Sequence, residues 1–352
     1  MILHIGNLDK FIPSFVEFVN TEFESEEHFF YFYGDRVKYP VEQRHNVVVN
    51  EAKLGRLSSV LHHVRLIPQL FRAKKVIIHG LFNQDTVKTL ALVPWVLKKC
   101  YWVIWGGDLY SFQKPKIGIK NRIHEKTKAF VIERIGYLVT YIPGDAELAR
   151  KWYGAKGTYL ECLMYLSNVV APRRSEYIRI KETSSTPINI LVGNSADPSN
   201  NHFEVLDKLT KFQNEEIQVF VPLSYGNPEH AEVVIEYGSS LFGNKFVAIT
   251  KFMKMDEYRK FLASIDIAIF NHKRQQAMGN TITLLSLGKT VFMRPEVSQA
   301  QLFKEKGIKV FSVEQITLDR LLPEERTENM ATTVANFSFD ILKKQWSKIF
   351  EG

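Results

Sequence analysis

The apolar positions of this 352-residue chain fall into short contiguous runs separated by longer stretches with helical spacing. Contiguous apolar runs indicate buried strands, and apolar residues every three or four positions indicate helices. Strands are predicted in the first half at Met1–Ile5, Phe29–Tyr33, Val47–Val49, Lys75–His79, Tyr101–Trp105 and Tyr137–Tyr141. Helices are predicted after Gly6-Asn7 and at Val60–Phe71, Leu90–Leu97 and Ala146–Tyr153. This alternation is typical of a parallel sheet covered on both faces.

The same alternation restarts after Arg173–Pro187, a polar segment that ends in proline and is the best linker candidate. Strands are predicted at Ile188–Val192, Ile217–Pro222, Lys245–Ile249, Ile265–Phe270 and Thr290–Met293, with helices at Phe203–Phe212, Glu229–Phe242, Asp256–Ser264 and Asn280–Leu287. We therefore predict an α/β protein with two doubly wound, Rossmann-like domains, residues 1–175 and 188–326. A closing helix over residues 327–352 is expected to pack back on the N-terminal domain.

Composition places few further limits on the class of protein. Hydrophobic residues make up 45% and charged residues 24%, as in ordinary folded domains. No apolar run approaches the ~20 residues that cross a bilayer. Two cysteines are too few for a disulfide framework or a zinc site. The chain starts on an apolar run without a basic signal-peptide region, so a cytoplasmic location is expected.

The charge is unevenly distributed along the chain. Residues 1–175 hold 25 Lys and Arg against 16 Asp and Glu, whereas the remainder holds 21 against 22. A basic first half indicates an anionic partner, such as nucleic acid, an anionic membrane surface or a phosphorylated substrate. Lys114–Arg134, with seven Lys or Arg against Glu125 and Glu133, is the densest basic segment. It suits either an anionic membrane surface or a solvated helix face.

Four clusters of polar residues and glycines directly follow apolar strands. They are His79–Asn83, Trp105–Tyr110, Gly193–His202 and Arg274–Thr281. Ligands of doubly wound sheets bind at the carboxyl ends of strands, so these clusters are expected to line a central cleft between the domains.

Arg274–Thr281 is the first candidate for a diphosphate site. Gly279 permits close backbone approach, and Asn280 or Thr281 is expected to cap the following helix. The positive end of that helix and the Arg274 guanidinium favour a bound diphosphate. The alternative is a plain capped helix with solvated Gln275 and Gln276.

Gly193–His202 is expected to approach the same point from the neighbouring strand. Asn194 and Ser195 offer side-chain donors, and Ser199 or Asn200 is expected to cap the next helix. An ordinary capped turn is the alternative. Neither GxGxxG nor GxxxxGK[ST] occurs here, which argues against a dehydrogenase or an ATPase.

Three further residues are candidates for contact with a nucleotide. Tyr225 follows a strand and has the shape to stack on a base or sugar, although packing at the edge of the core is the commoner role. Lys251 and Phe252 follow the next strand, and this position in the sequence is the sole reason that they are candidates for contact with a base.

Two residues of the first half are candidate proton acceptors. Asp108 follows Gly106-Gly107 and the apolar run that ends at Trp105, and a carboxylate beside aromatic residues can act as a general base. The alternative is a turn aspartate that caps the following segment. His79 ends a strand and is either a base or a buried structural histidine. Spacing of the HExxH type is absent, so no metal is implied.

Taken together, these stretches resemble a known family. His79-Gly-x-Phe-Asn83, Trp102-x-Ile-Trp-Gly-x-Asp-Leu-Tyr110, Ile190-Leu-Val-Gly-Asn-Ser-x-Asp-x-Ser-Asn-x-His202 and Arg274-Gln-Gln-x-x-Gly279 are similar to the 4-acetamido-4,6-dideoxy-D-galactose transferases of enterobacterial common antigen synthesis. The matching stretches occur in the same order and span both halves. Asn271–Lys273 and Phe29–Asn50 lie outside the resemblance.

The resemblance implies a GT-B glycosyltransferase on the cytoplasmic side of the inner membrane, attached peripherally. It implies transfer of a dideoxy-acetamido sugar from a dTDP-sugar to a saccharide on undecaprenyl diphosphate, with neither metal nor other cofactor. The donor side is expected to comprise Gly193, Asn194, Ser195, Ser199, Asn200, Tyr225, Lys251, Phe252, Arg274, Gln275, Gln276, Gly279, Asn280 and Thr281. The acceptor side is expected to comprise catalytic Asp108 and His79, with Asn83, Trp105, Gly106, Gly107 and Tyr110 binding the acceptor.

Other functions remain open at this point. The same fold serves epimerases, phosphorylases and transferases that use another donor, such as a UDP-sugar. A nucleic-acid-binding protein is a third possibility, but no interleaved aromatic platform for bases is evident, so no nucleic-acid partner is expected.

Overall fold

A computed structural model describes residues 1–51, 55–170 and 187–352. The predicted linker Arg173–Pro187 lies outside the described residues except for Pro187. The chain forms two compact units: unit 1 comprises Met1–Ser167 and Phe339–Gly352, and unit 2 comprises Asn168–Ser338.

Unit 1 is built on a seven-stranded parallel sheet in the order β3-β2-β1-β4-β5-β6-β7. Its strands are β1 Ile2–Asn7, β2 His28–Gly34, β3 Val47–Glu51, β4 Lys75–His79, β5 Cys100–Val103, β6 Tyr137–Thr140 and β7 Thr158–Glu161. Its helices are α1 Ile12–Glu22, α2 Gly55–Arg72, α3 Gln84–Leu92, α4 Gly107–Tyr110, α5 Ile119–Arg134 and α6 Pro143–Tyr153. Apolar residues of the inner strands and of the packed helices form the core.

Unit 2 repeats the construction with six parallel strands in the order β10-β9-β8-β11-β12-β13. They are β8 Ile188–Val192, β9 Ile217–Pro222, β10 Phe246–Ile249, β11 Ile267–Phe270, β12 Thr290–Met293 and β13 Phe311–Ser312. The helices are α7 His202–Leu209, α8 Pro228–Phe242, α9 Met255–Ser264, α10 Met278–Ser286, α11 Ser298–Glu305 and α12 Pro323–Asn336.

The strand order reverses once in each sheet, and these points position the candidate sites. In unit 1 the chain builds outward from β1 to β3 and then restarts beside β1 with β4. In unit 2 it builds from β8 to β10 and restarts beside β8 with β11. At such a reversal the loops from two adjacent strands leave in opposite directions, which opens a crevice at the carboxyl edge of the sheet.

Two predicted helices need correction. The helix expected over Leu90–Leu97 ends at Leu92, and a 3₁₀ segment follows at Pro94–Lys99, because Pro94 cannot supply an N–H to continue the α-helical ladder.

The single helix expected over residues 327–352 is two helices, α12 and α13 (Phe339–Glu351), which belong to different units. Helix α13 buries Leu342, Trp346 and Ile349 in unit 1. The Trp346 indole N–H donates to the Met164 carbonyl at 3.0 Å.

No helix among residues 1–51, 55–170 and 187–352 is long and apolar enough to cross a membrane.

Candidate active site

The loops after β8, β9 and β11 are joined by one side-chain network in unit 2. The Asn194 amide nitrogen Nδ2 donates to the Tyr225 hydroxyl at 2.8 Å, and its Oδ1 accepts from Gln276 Nε2 at 3.1 Å. The Ser199 hydroxyl donates to Gln276 Oε1 at 2.8 Å. Four residues singled out from separate strand ends therefore meet at the unit 2 reversal point.

Asn200 shapes the loop after β8 from inside. Its side chain is fully buried, and its Oδ1 accepts from the Asn194 backbone N–H at 2.9 Å. Its Nδ2 donates to the carbonyl of Ser195 at 3.1 Å and to that of Asp197 at 2.8 Å. A Cβ on Gly193, where φ is +68°, would lie 2.7 Å from Asn200 Oδ1. Asn200 therefore holds the loop in shape and is not open to a ligand.

The expected helix cap at Ser199 or Asn200 is wrong. Helix α7 starts at His202, and its N-cap is Asn201 in a left-handed conformation with φ +51° and no side-chain cap. The Asn201 amide instead donates to the Asn271 carbonyl at 2.7 Å, which ties the loop after β8 to the loop after β11. The Asn201 side chain thus bonds the neighbouring loop instead of capping α7.

Helix α10 also starts earlier than expected, at Met278, so Asn280 and Thr281 do not cap it. The N-cap is Ala277, a non-glycine residue with φ +57° and no polar side chain. Thr281 Oγ1 donates back to the Ala277 carbonyl at 3.1 Å, and Asn280 Nδ2 donates to the Tyr258 hydroxyl at 2.8 Å. The first N–H groups of a helix have no intrahelical acceptor, and alanine cannot supply one.

The remaining donor-side candidates are more open to solvent. Arg274 and Gln275 are half-buried, and Arg274 Nη1 donates to the Gln275 carbonyl at 3.2 Å. Tyr225 is 45% exposed and Phe252 is 83% exposed, so both offer ring faces for stacking. Lys251 is exposed beside Phe252.

Sequence reasoning missed His272, which lies in the segment outside the family resemblance. Its ring is buried, and His272 Nε2 lies 2.8 Å from Asn200 Oδ1. Burial, followed by the charge of Arg274, lowers the pKa of His272 to about 3, so the ring is neutral and donates to that oxygen. A polar residue directly after the buried strand β11 was the available signal.

Asp108 is buried in unit 1 and accepts four N–H groups. Its Oδ2 accepts from the Leu81 backbone N–H at 2.9 Å and from the Trp102 indole N–H at 2.7 Å. Its Oδ1 accepts from the backbone N–H groups of Trp105 and Leu109, each at 3.0 Å. At 1% exposure this carboxylate joins the loops after β4 and β5, a geometry that favours a positioning role over that of a general base.

His79 is also buried, and it belongs to a chain of hydrogen-bonded rings. An indole N–H can only donate, so the Tyr165 hydroxyl accepts from Trp105 Nε1 at 2.8 Å. The same hydroxyl is hydrogen-bonded to His79 Nδ1 at 2.6 Å. His79 Nε2 lies 3.2 Å from His4 Nδ1, and His4 Nε2 lies 3.0 Å from His28 Nδ1. Both ring nitrogens of His79 therefore have a partner inside unit 1.

Burial keeps His4, His28 and His79 neutral. It lowers the pKa of His79 to about 3 and that of His28 to about 4, and it lowers the pKa of His4 well below 6.5. Burial also raises the pKa of Tyr165 well above 10, with Asp9 among the charges that add to the rise. His79 therefore orients Trp105 through Tyr165, another residue that sequence reasoning missed.

The other acceptor-side candidates lie along the same edge. Asn83 caps α3, accepting from Asp85 and Thr86 backbone N–H groups at 2.8 and 3.1 Å, and its Nδ2 donates to Asn7 Oδ1 at 3.4 Å. Gly106, with φ +78°, is the N-cap of α4, and Gly107 begins that helix. The Tyr110 hydroxyl donates to Asp145 Oδ1 at 3.0 Å.

Asp9, which follows β1, is a further residue that sequence reasoning missed. Its carboxylate is half-buried at the unit 1 reversal point and accepts from the neighbouring Lys10 N–H. The polar stretch Gly6-Asn7-Leu8-Asp9 after the first apolar run was the available signal.

Within the part of the chain that the structure describes, no group of three or more His, Cys, Asp or Glu side chains is arranged to hold a metal ion. Metal-independent catalysis remains a prediction.

Solved structures of similar architecture identify the fold. A glycosyltransferase from Rickettsia africae superposes with a TM-score of 0.65 at 14% identity, over 99% of this chain and 97% of that one. An Anabaena protein in complex with UDP and glucose gives 0.65 at 11% identity, over 100% and 99%. A UDP-forming α,α-trehalose-phosphate synthase from Burkholderia xenovorans in complex with glucose-6-phosphate gives 0.64 at 9% identity, over 100% of both chains. The fold is thus the GT-B fold of glycosyltransferases.

The family is shown by its sequence model. The model described as 4-alpha-L-fucosyltransferase, glycosyl transferase group 56, matches residues 49–351. The chain belongs to this family and is a glycosyltransferase.

Replacing Asp108 by asparagine should lower stability rather than turnover alone. One oxygen becomes an NH₂ group, which leaves two N–H donors unpaired at about 1–3 kcal/mol each. Urea unfolding measures the loss, and the exposed Asp319→Asn serves as control. Wild-type stability with reduced turnover would instead assign Asp108 to proton transfer.

The neutral histidines predict acid sensitivity. Their folded-state pKa values lie below the ~6.5 of the unfolded chain, so the unfolded state binds more protons between about pH 6.5 and pH 4. The free energy of unfolding should be level above about pH 6.5 and fall below it, by about 1.4 kcal/mol per pH unit for each such histidine. His28→Phe should remove one proton from that slope, whereas His45→Gln, at an exposed residue, should leave it unchanged. An unchanged slope in His28→Phe would show that His28 is charged in the folded protein.

Proposed function

We propose that this glycosyltransferase moves a dideoxy-acetamido sugar of the 4-acetamido-4,6-dideoxy-D-galactose type from a dTDP-sugar to a saccharide carried on undecaprenyl diphosphate. The reaction would serve cell-surface polysaccharide synthesis, with the enzyme bound peripherally to the cytoplasmic side of the inner membrane. The proposal that a nucleotide-sugar donor binds unit 2 is supported by one observation: Asn194, Tyr225 and Gln276 are hydrogen-bonded together beside the uncapped start of α10.

The donor's diphosphate is proposed to bind at the start of α10. The open backbone N–H groups of that helix end and its dipole favour negative charge. Gly279 keeps the first turn free of a side chain, and the half-buried Arg274 is near enough in sequence to add a bidentate contact. The left-handed Ala277 is a strained position of the kind that clusters at ligand sites.

The sugar and base are proposed to lie along the loops after β8, β9 and β10. Asn194 lies at the reversal point and donates to the Tyr225 hydroxyl, and Tyr225 and Phe252 offer ring faces. The buried Ser195 hydroxyl accepts from the Asp197 backbone N–H and from Asn200 Nδ2, so it stabilises the loop after β8. The solved Anabaena structure with UDP and glucose supports a nucleotide-sugar donor for this fold. The choice of dTDP over UDP rests on the family resemblance.

The proposed reaction is a substitution at the anomeric carbon. The acceptor hydroxyl oxygen forms the new bond to that carbon as the bond to the diphosphate oxygen breaks, and the leaving nucleoside diphosphate takes the electron pair. The acceptor's proton passes to a base. Positive charge and helix N–H groups around the leaving diphosphate supply electrostatic stabilisation where negative charge develops.

We assign the base to Asp9 in place of Asp108 and His79. The carboxylate of Asp108 is occupied by four N–H donors, and the two ring nitrogens of His79 are hydrogen-bonded to Tyr165 and His4. Asp9 is half-buried at the reversal point of unit 1 and influences the titration of Tyr165, which bonds Trp105. Trp105 and Asn83 then offer stacking and hydrogen bonding to the acceptor sugar.

Arg274→Ala and Asn194→Ala should each weaken dTDP binding, by about tenfold or more for the loss of one charged hydrogen bond. Calorimetry with dTDP and with UDP measures the affinity and identifies the base. The neighbouring exposed Lys273→Ala is the matched control and should bind normally. Wild-type affinity in Arg274→Ala would remove this residue from the diphosphate site, and tighter binding of UDP would favour a UDP-sugar donor.

Asp9→Asn should lower kcat by roughly 10²–10⁴-fold, the usual contribution of a positioned base, with dTDP affinity unchanged. Transfer of labelled sugar to lipid measures turnover, and Asp35→Asn, in the loop after β2, is the control. Unchanged turnover in Asp9→Asn would refute the assignment. Isomerised or phosphorolysed donor in place of labelled lipid would identify an epimerase or a phosphorylase.

A further inference from the structure

Three isoleucines near the start of α5 are unusually open to solvent. Ile117, Ile119 and Ile123 are 80%, 75% and 59% exposed, and we call them the isoleucine ridge. Ile119 and Ile123 are one helical turn apart and share a face of α5. Three large aliphatic side chains that are each more than half exposed within seven residues are a feature of surfaces that bind an apolar partner.

Basic residues surround the isoleucine ridge. Lys114, Lys120, Arg122 and Lys126 are exposed, and the first turn of α5 holds no acidic residue. The positive end of the helix therefore adds to the side-chain charges, with no carboxylate in the first turn to offset them. Exposed isoleucines among lysines and arginines are complementary to an anionic lipid surface.

A pocket of about 200 Å³ lies on the other side of the same helix turns. Its lining includes Lys114, Lys116, His124 and Lys128, together with the acidic residues Asp108 and Glu125. One water needs only about 10–15 Å³, so the pocket admits a much larger group.

Lys128 gives the pocket its chemical character. Its side chain is buried, and Nζ donates to two neutral acceptors, the Asp108 carbonyl and Ser111 Oγ. The nearby carboxylates of Asp108 and Glu125 stabilise this charge in part, although neither is its hydrogen-bond partner. A buried ammonium is costly, and an anion in the adjoining space would offset more of that cost.

Two other lining residues also bear on what the pocket binds. His124 has a buried Nδ1 with no hydrogen-bond partner among the described residues, and burial lowers the pKa of this histidine. Lys116 Nζ lies 3.3 Å from Glu125 and also donates to the Ser111 carbonyl. Three lysines line the pocket against the two carboxylates of Asp108 and Glu125, so the lining keeps a positive balance that suits an anionic group.

We propose that the pocket binds the diphosphate of a polyprenyl-linked acceptor while the isoleucine ridge enters the lipid. This inference rests on the proposed function and locates its acceptor. An interfacial helix buries its apolar face about 5–10 Å into the headgroup boundary, and a helix is about 10 Å across. A pocket on the far side of α5 therefore stands at the level of the phosphates. A free nucleotide would account for the pocket but not for the exposed isoleucines.

The test is co-sedimentation of the full-length protein with three kinds of vesicle. They consist of phosphatidylcholine alone, phosphatidylcholine with phosphatidylglycerol, and phosphatidylcholine with a polyprenyl diphosphate at matched negative charge. Wild-type protein should bind the diphosphate vesicles most tightly, and inorganic pyrophosphate should abolish only that preference. Equal binding to both anionic vesicles, or no effect of pyrophosphate, would overturn the pocket assignment.

Two variants separate the ridge from the pocket. Ile117→Ser/Ile119→Ser/Ile123→Ser should lose binding to every anionic vesicle. Lys114→Gln/Lys116→Gln should keep the preference for anionic over neutral vesicles and lose the preference for diphosphate, with affinity for those vesicles falling by about fivefold per charge. Undiminished vesicle binding by the ridge variant would overturn the membrane contact.

Matched controls are available on other surfaces. Val233→Ser removes an exposed apolar residue of unit 2, and Lys344→Gln/Lys348→Gln removes two exposed charges of α13. Both should bind vesicles as the wild type does. If Lys114→Gln/Lys116→Gln proves unstable in urea, the exposed Lys114→Gln alone carries the test.

Calorimetry with dTDP on the same variants keeps this inference distinct from the proposed function. Ridge and pocket variants should bind dTDP normally, because their substitutions lie in unit 1. A wild-type protein that binds diphosphate vesicles but no dTDP would refute the proposed donor and leave the lipid site standing. A protein that transfers sugar from dTDP to lipid but shows no diphosphate preference would refute the lipid site alone.

Discussion

The reversal of strand order between β1 and β4 and between β8 and β11 is the constraint on which both candidate sites depend. Each sheet is parallel, so every loop at its carboxyl edge leads from a strand into a helix, and only at the reversal do two neighbouring loops diverge. The two loops leave a gap between them. Backbone N–H groups and polar side chains face this gap, and no other loop among the described residues covers them. Asn194 and Gln276 meet across one such gap, and Asn7 and Asn83 meet across the other.

Each gap is held open by buried polar groups rather than by apolar packing. In unit 2 the amide of Asn200 bonds the loop after β8, with His272 adding a bond from the next strand. In unit 1 the carboxylate of Asp108 performs the same task for the loops after β4 and β5. A buried carboxylate or amide makes several directional hydrogen bonds at once. These bonds fix a loop more tightly than apolar contacts, which have no preferred direction. Rigid loops in turn keep the ligand-facing groups in position.

The two units differ in charge, and the proposed function makes use of this difference. Unit 2 is close to neutral in charge and holds the start of α10, which is proposed to bind the donor's diphosphate. Unit 1 carries the excess of Lys and Arg, and α5 concentrates it beside exposed isoleucines. Membership of a glycosyltransferase family agrees with such a division, since the family fixes the reaction while the basic surface points to the anionic character of one substrate.

The alternation of apolar runs and helical spacing was enough to predict two doubly wound domains. Strands of a parallel sheet are buried on both faces, so each one appears in the sequence as a continuous apolar run. Gly193 and Arg274 were predicted as site residues in the same way, from a glycine and a polar residue that follow buried strands. The hydrogen-bond partners of Asp108 and His79 are shown only by the tertiary structure. The sequence does not reveal whether a carboxylate or an imidazole is free or hydrogen-bonded, because its partners lie far away along the chain, such as Leu81 for Asp108 and Tyr165 for His79. Hydrogen bonds between residues far apart in the chain produce no periodic pattern in the sequence, so local sequence patterns could not have predicted them.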